Sequence, residues 1–288
     1  VADDEDNVIR VYDAERAGKP LSSVDLSRSL GVMQKRSRKT GQLGDAPETD
    51  IEGAARVGQL AFWITSHGLS SSGKRKPERF RFFATNAPST AATLGVVGRP
   101  YQELIADLIE DPRYSAFTLA RASQLTPKRP GALNIEGLAE RAEGGVFLAF
   151  RSPVPGGKAL LAPLLNPTDV VQGAHAQFEA PVLLDLGGLG IRDMARWHGR
   201  YLILAGAADG SAVSQLYVWY GQGQPRNTHT LEVRDMNPEG LFTPEDGTRV
   251  LLLSDDGTLE IDGDECKDLS DVAQKRFRAV WVDAARLE

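Results

Sequence analysis

The chain has 288 residues, 41% hydrophobic and 25% charged, which supplies enough apolar material for a packed core and excludes disorder as a global state. Lys and Arg total 33 against 39 Asp and Glu, and the resulting formal charge of −6 argues against a phosphate-tracking surface as the main function. Cys266 is the single cysteine, so an intrachain disulfide framework is excluded, and no stretch reaches the roughly 18 apolar residues that a membrane helix needs.

In chain order, Val1-Ala2-Asp3-Asp4-Glu5 runs straight into an apolar strand over residues 8–12, so the chain is expected to open inside a sheet unit whose upstream strand is missing. No charged start with an apolar run and a small-residue cleavage site precedes it, and a cytoplasmic location is expected. Loops are expected at residues 41–49 and 70–76. Between them Asp50-Ile51-Glu52-Gly53 opens a unit that continues with strands at residues 60–65 and 80–85. A helix is expected over residues 101–109, where apolar residues recur at helical spacing until Pro112, as an excursion within the second unit.

Asn134-Ile135-Glu136-Gly137 opens the next copy, with strands at residues 145–150 and 159–162. Gly190-Ile191-Arg192-Asp193 opens a looser third, with strands at 201–205 and 215–219. Asn237-Pro238-Glu239-Gly240 opens a fourth, with strands at 250–254 and 258–261. The chain's start matches Ser254-Asp255-Asp256 and reads as a fifth, truncated copy, and a last strand at residues 277–282 is placed to complete it. Short apolar strands repeated with turn signals suit propeller blades. The expected fold is therefore an all-β, single-domain β-propeller over residues 1–288 with five blades, one short helical insertion and a truncated first blade. Six blades follow if residues 94–125 hide a sheet, and an irregular pair of β-sandwiches is the alternative.

Radial symmetry brings one side chain per blade to the central channel. If the Glu-Gly units begin the innermost strands, Glu52, Glu136, Asp193 and Glu239 form a ring, with Asp50, Asn134 and Asn237 two positions before the glutamates. An all-oxygen set favours Ca²⁺ or Mg²⁺, and Glu52, Glu136, Asn134, Asp193 and Glu239 are the expected ligands. Asp or Asn before a turn and Gly after it is also routine turn chemistry. His67, just after a strand, is a candidate general acid or base at the channel mouth, alongside Glu136 and Arg192 as catalytic candidates, although a hydrogen-bonded structural histidine in a loop is the stronger reading of it. Arg151 and Arg192 hold an anionic substrate or offset the carboxylates. The acidic runs at residues 3–6 and 255–256 read as an acidic rim or as solvated turns. Lys74, Arg75, Lys76, Arg79 and Arg81 form the one basic cluster. Its interleaved Phe80, Phe82 and Phe83 read as strand core, so neither nucleic acid nor membrane is expected as a partner. No nucleophile elbow, phosphate-cradling loop or zinc spacing appears, and Gly187-Gly188-Leu189-Gly190 precedes a strand, not a helix.

The combination DDEDNVIRVYD, DIEGAARVGQLAFWITSHG, LNIEGLAE, FRSPVPGGKALLAPLLNP, LGGLGIRDM, MNPEGLF and LLSDDGT resembles a bacterial family of propeller-like proteins known as a domain of unknown function, over essentially the whole chain. A looser similarity runs to phytase-like, esterase-like and gluconolactonase-like propellers. That similarity implies a divalent cation held in the channel by Glu52, Glu136 and Glu239. Two functions are expected from these readings. One is metal-dependent hydrolysis of a lactone, ester or phosphoester; the other is non-catalytic binding of a protein or small ligand at the channel face.

Overall fold

Runs such as LAFWIT, VFLAFRS and RYLILAG lack polar alternation, the pattern of strands covered on both faces. In the computed structural model they are the middle strands of stacked antiparallel sheets. The structure describes residues 1–34, 36, 42–44, 46–87, 94–127, 129–210, 214–229 and 235–287; of the loop expected at 41–49, Gly41 and Asp45 lie outside them.

A hairpin comes first, β1 (Val8–Val11) with β2 (Ser22–Asp25). The first blade is β3 (Ile51–Val57), β4 (Leu60–Thr65), β5 (Phe82–Asn86) and β6 (Val96–Tyr101), paired in that order. The second is β7 (Asn134–Glu140), β8 (Val146–Ser152), β9 (Ala159–Leu164) and β10 (Val182–Leu184). The third is β11 (Gly190–Trp197), β12 (Arg200–Gly206), β13 (Gln215–Trp219) and β14 (Arg226–Asn227). The fourth begins with β15 (Pro238–Phe242) and β16 (Arg249–Ser254). A small hairpin, β17 (Glu260–Ile261) with β18 (Asp264–Glu265), then leaves the sheet before β19 (Ala279–Asp283) returns to pair with β16.

The first strands β3, β7, β11 and β15 lie side by side around the centre. Side chains of successive residues on a strand point to opposite faces, and each sheet uses both. Phe62, Ile64 and Phe82 pack against Leu138, Leu148 and Phe150 of the second blade, while Trp63 and Phe83 turn the other way onto Ile9, Leu26 and Val32 of the N-terminal segment. Phe147 and Ala149 meet Met194, Ile203 and Trp219, and Leu202, Leu216 and Val218 meet Val250 and Leu252. The N-terminal hairpin also reaches the fourth blade, through a Tyr12–Phe277 ring contact at 5.2 Å and a Glu15–Arg249 ion pair at 2.8 Å.

The structure corrects the expected count of five or six blades: among the described residues four sheets of three or four strands form, and the N-terminal residues contribute a two-stranded hairpin. Residues 94–125 hide no further sheet. They supply β6, then α1 (Leu104–Glu110), a 3₁₀ segment at Pro112–Phe117 and α2 (Leu119–Ala122), which connect the first blade to the second and bury Leu104, Leu108 and Tyr114 in the core between them. The last strand completes the fourth blade, not the N-terminal unit. Arg278 donates to Asp256 from its backbone N at 2.8 Å and its Nε at 2.9 Å, which closes the neck of the β17–β18 excursion and delivers β19 to β16.

Candidate site at the axial end of the blades

All four first strands carry a β-bulge at the same place. The pairing to the second strand skips between Ile51 and Gly53, Ile135 and Gly137, Ile191 and Asp193, and Pro238 and Gly240. A bulge leaves its extra residue outside the ladder and re-aims its side chain. The four extra residues are Glu52, Glu136, Arg192 and Glu239. The innermost position expected for the Glu-Gly units is therefore observed, with one correction: in the third blade Arg192 holds the glutamate position, and Asp193 falls where the others have glycine. Asp193 instead links blades, with Oδ1 accepting from Met194 N and Oδ2 from Leu241 N, each at 2.7 Å, and burial pushes its carboxyl up to about 8. The glycine positions are tight. A Cβ on Gly53 would stand 2.6 Å from Glu136 O of the neighbouring strand.

The bulge residues differ in their partners. Glu136 is buried, and its Oε1 accepts from Asn134 Nδ2 at 2.7 Å and Arg151 Nη1 at 2.5 Å. Arg151 also donates from Nε and Nη2 to Ala207 O at 3.3 and 3.2 Å, so its guanidinium is fixed. Glu239 repeats the arrangement, accepting from Asn237 Nδ2 at 3.1 Å and lying against Arg192 Nη1. In the first blade the residue two positions earlier is Asp50, a carboxyl where the other two have an amide, and burial raises it with Arg79 opposing. It turns away to accept from Ser66 Oγ and to pair with Arg79 Nη1 at 2.8 Å. Glu52 consequently has no hydrogen-bond partner among the described residues.

The electrostatics follow. Burial and then the neighbouring Glu136, Asp50 and Asp4 carboxylates push Glu52 well above the usual range, with Arg151 opposing. Burial, with Asp3, Asp50, Asp255 and Glu5, raises Asp4 to about 7. Burial also raises Glu136, against the pull of Arg151 and Arg192. Burial and the nearby Arg151 lower Arg192, whose side chain is 3% exposed and whose Nε has no partner. The bulged end of the first strands is thus acidic on the first-blade side and internally ion-paired on the side of blades two to four. Among the described residues, no three His, Cys, Asp or Glu side chains converge as metal ligands.

His67 lies apart from this group. It is fully buried behind β4, with a left-handed φ of 54°, Nδ1 2.7 Å from Thr65 O, its ring edge against Phe80 and Nε2 without a partner. Burial lowers it to about 4, so it is neutral at ordinary pH. Of the basic cluster, Arg81 is buried, Phe80, Phe82 and Phe83 are core, and Lys74 and Arg75 are exposed. Sequence reasoning missed the part played by Arg79, which binds Glu48 at 2.7 Å and Asp50 at 2.8 Å across a loop and carries no spacing signal. The Arg192 substitution was readable, by aligning Ile191-Arg192-Asp193 with Ile135-Glu136-Gly137 on the isoleucine.

A family described as "Protein of unknown function (DUF3616)" matches residues 82–243. No match is found among curated proteins. Among solved structures, the chain is similar to the extracellular domain of the putative one component system BT4673 from B. thetaiotaomicron, at 11% identity and a TM-score of 0.33. That alignment covers 74% of this chain and 21% of that one, so the chain spans about a fifth of that relative. It is also similar to the hemopexin fold protein CP4 from cow pea, at 7% identity and a TM-score of 0.38, covering 71% and 86% of the two chains. A protein from Lactobacillus plantarum aligns at 12% identity with a TM-score of 0.32, covering 96% and 66%.

Proposed function

Because the chain belongs to the DUF3616 family of proteins of unknown function, membership brings no reaction with it, and we propose from the channel itself that this β-propeller binds a small amine- or hydroxyl-bearing ligand at its axial end. One observation carries the reading: Glu136 and Glu239 are already committed to arginines and asparagines, and among the described residues Glu52 has no hydrogen-bond partner. A carboxyl in that state takes either a proton or a ligand that donates to it. Glu52, with Asp4 and Asp50 beside it, is the engaging group, and Arg151 and Arg192 hold the opposite wall.

A second reading is hydrolysis of a lactone, ester or phosphoester with Ca²⁺ or Mg²⁺ in the channel. It is supported by the neighbouring carboxyls of Glu52 and Glu136, both raised by burial, of which only Glu136 is held by an arginine. A cation here would fall to Glu52, because Glu136, Glu239 and Asp50 have counter-ions.

Metal content by mass spectrometry on chelator-free protein, with thermal melting in the presence and absence of EDTA, separates the two. The binding reading expects no stoichiometric ion and no effect of EDTA, together with a melting shift on a panel of amines and polyols that Glu52→Gln abolishes. A near-stoichiometric ion whose removal lowers the melting point, with turnover of an ester, lactone or phosphoester panel lost in Glu136→Gln, replaces it with the hydrolase.

A further inference from the structure

The fourth blade ends one strand earlier than the other three. β5, β9 and β13 each carry an outer strand, β6, β10 and β14, whereas among the described residues β19 pairs with β16 alone. Ser254 N donates to Arg278 O and Ala284 N to Thr248 O, each at 2.9 Å, and bonded pairs alternate along an antiparallel ladder, so the bonds to β16 use Arg278, Val280, Val282 and Ala284. The N–H and C=O groups of Ala279 and Trp281 therefore face the open edge, and among the described residues they have no hydrogen-bond partner. The side chains agree. Val280, Trp281 and Val282 are half-buried and Ala279 is exposed, whereas all of β9 and Leu216–Trp219 of β13 are buried.

Nothing on this edge keeps another strand away. Ala279-Val280-Trp281-Val282 has no proline, lysine or bulge, the devices that blunt an edge, and its valines and tryptophan favour pairing. Its charges are arranged head to tail: Arg276 precedes the strand, Asp283 ends it, and both are exposed with no ion pair among the described residues. We infer that the edge is a dimer interface whose occupant is β19 of a second copy of this chain. A two-fold axis through the edge sets the two strands antiparallel, joining the fourth blades into one continuous sheet. With Val280 on the axis, Ala279 N donates to Trp281 O of the partner subunit and Trp281 N to Ala279 O of the partner subunit, which uses every group left open on those two residues. The small Ala279 then stands across from the large partner's Trp281, and Asp283 comes beside the partner's Arg276 at both ends of the ladder. The 3₁₀ turn at Ala284–Arg286 carries the chain away and ends the pairing there. That charge complementarity is the strand's own, which is why a second copy fits it.

The test is sedimentation equilibrium of the full chain from about 1 to 100 μM. A monomer–dimer equilibrium that Asp283→Arg weakens about tenfold, that Arg276→Asp weakens likewise, and that the two substitutions together restore supports the interface. Both side chains are exposed, so these variants keep the parent's melting point. Ala279→Pro removes an outward N–H without touching a bond to β16, and it is expected to leave a folded monomer. A protein that is monomeric throughout, a dimer that survives Ala279→Pro, a dimer indifferent to the single charge variants, or a double variant no stronger than either single one overturns the inference. A monomer that binds a labelled peptide of residues 94–103, which holds the chain's own outer strand β6, overturns it as well and assigns the edge to a foreign strand.

Discussion

Arg192 of the third blade lies against Glu239 of the fourth, and it occupies the bulge position that a glutamate occupies in the other three blades. One reversal of charge in a ring of equivalent positions changes what the ring needs. Four carboxylates would require an external cation or protons. With Arg192 inside the ring and Arg151 reaching Glu136, neutralisation is largely internal, and the remaining demand falls on Glu52.

Arg151 is expected to be a stability determinant as well as part of the site. Its partner Glu136 is 6% exposed at the side chain, and removing one member of a buried pair leaves an uncompensated charge. Arg151→Ala is expected to cost about 3–5 kcal/mol in urea unfolding. Adding Glu136→Leu to Arg151→Met should recover most of the loss, and a double variant as unstable as Arg151→Ala would refute the ion-pair account.

Glu52→Gln is expected to stabilise the protein increasingly as pH rises. The folded-state value of Glu52 is raised, so its contribution is fully present below the ordinary carboxylate range and is lost as pH climbs through the folded value. The neutral amide removes that loss. Melting temperatures of the two proteins should be close at pH values near 5 and diverge toward pH 9, with the variant higher; parallel curves would show that Glu52 ionises freely.

His67 has the opposite sign. Its folded value falls from 6.5 to about 4, so the unfolded chain takes up the proton first, and stability present above about pH 6.5 declines as pH falls toward 4. The full effect is about 3 kcal/mol. Asp193 and Asp4, raised to about 8 and about 7, lose stabilisation as pH rises across the same range. The informative quantity is therefore the difference between the parent and His67→Asn, a residue that tolerates the left-handed backbone there. That difference should shrink on acidification, and a constant difference would mean that His67 is protonated in the fold.

Gly53→Ala is expected to cost about 1–3 kcal/mol through overpacking, because the added Cβ meets Glu136 O at 2.6 Å on an adjoining first strand. Gly58→Ala serves as the comparison: its Cβ meets nothing within 4 Å, and its φ of +60° costs about 1 kcal/mol. Urea midpoints that rank the two the other way would mean that the first strands are not packed as closely as the bulges require.

The repeat was legible because it is local. Ile-Glu-Gly and its variants sit a short distance before each doubly apolar strand, and the unbroken apolar run Phe62-Trp63-Ile64 is enough to mark a strand covered on both faces. The innermost place of Glu52, Glu136 and Glu239 follows from that pattern together with radial symmetry. The amino-acid sequence by itself thus determined the strands, the core faces and the family of positions that line the centre. The tertiary structure alone decided how many sheets those strands make, since a hairpin and a blade look alike until their edges are paired. It decided that β19 returns to β16 across an Asp256–Arg278 neck. It also decided which charges meet: Arg79 with Asp50, Arg151 with Glu136, and Arg192 with Glu239, pairs separated along the chain and selected by the packing of the first strands. Burial is a property of that packing too, which is why His67, polar and beside a turn in the sequence, is a neutral core residue in the fold.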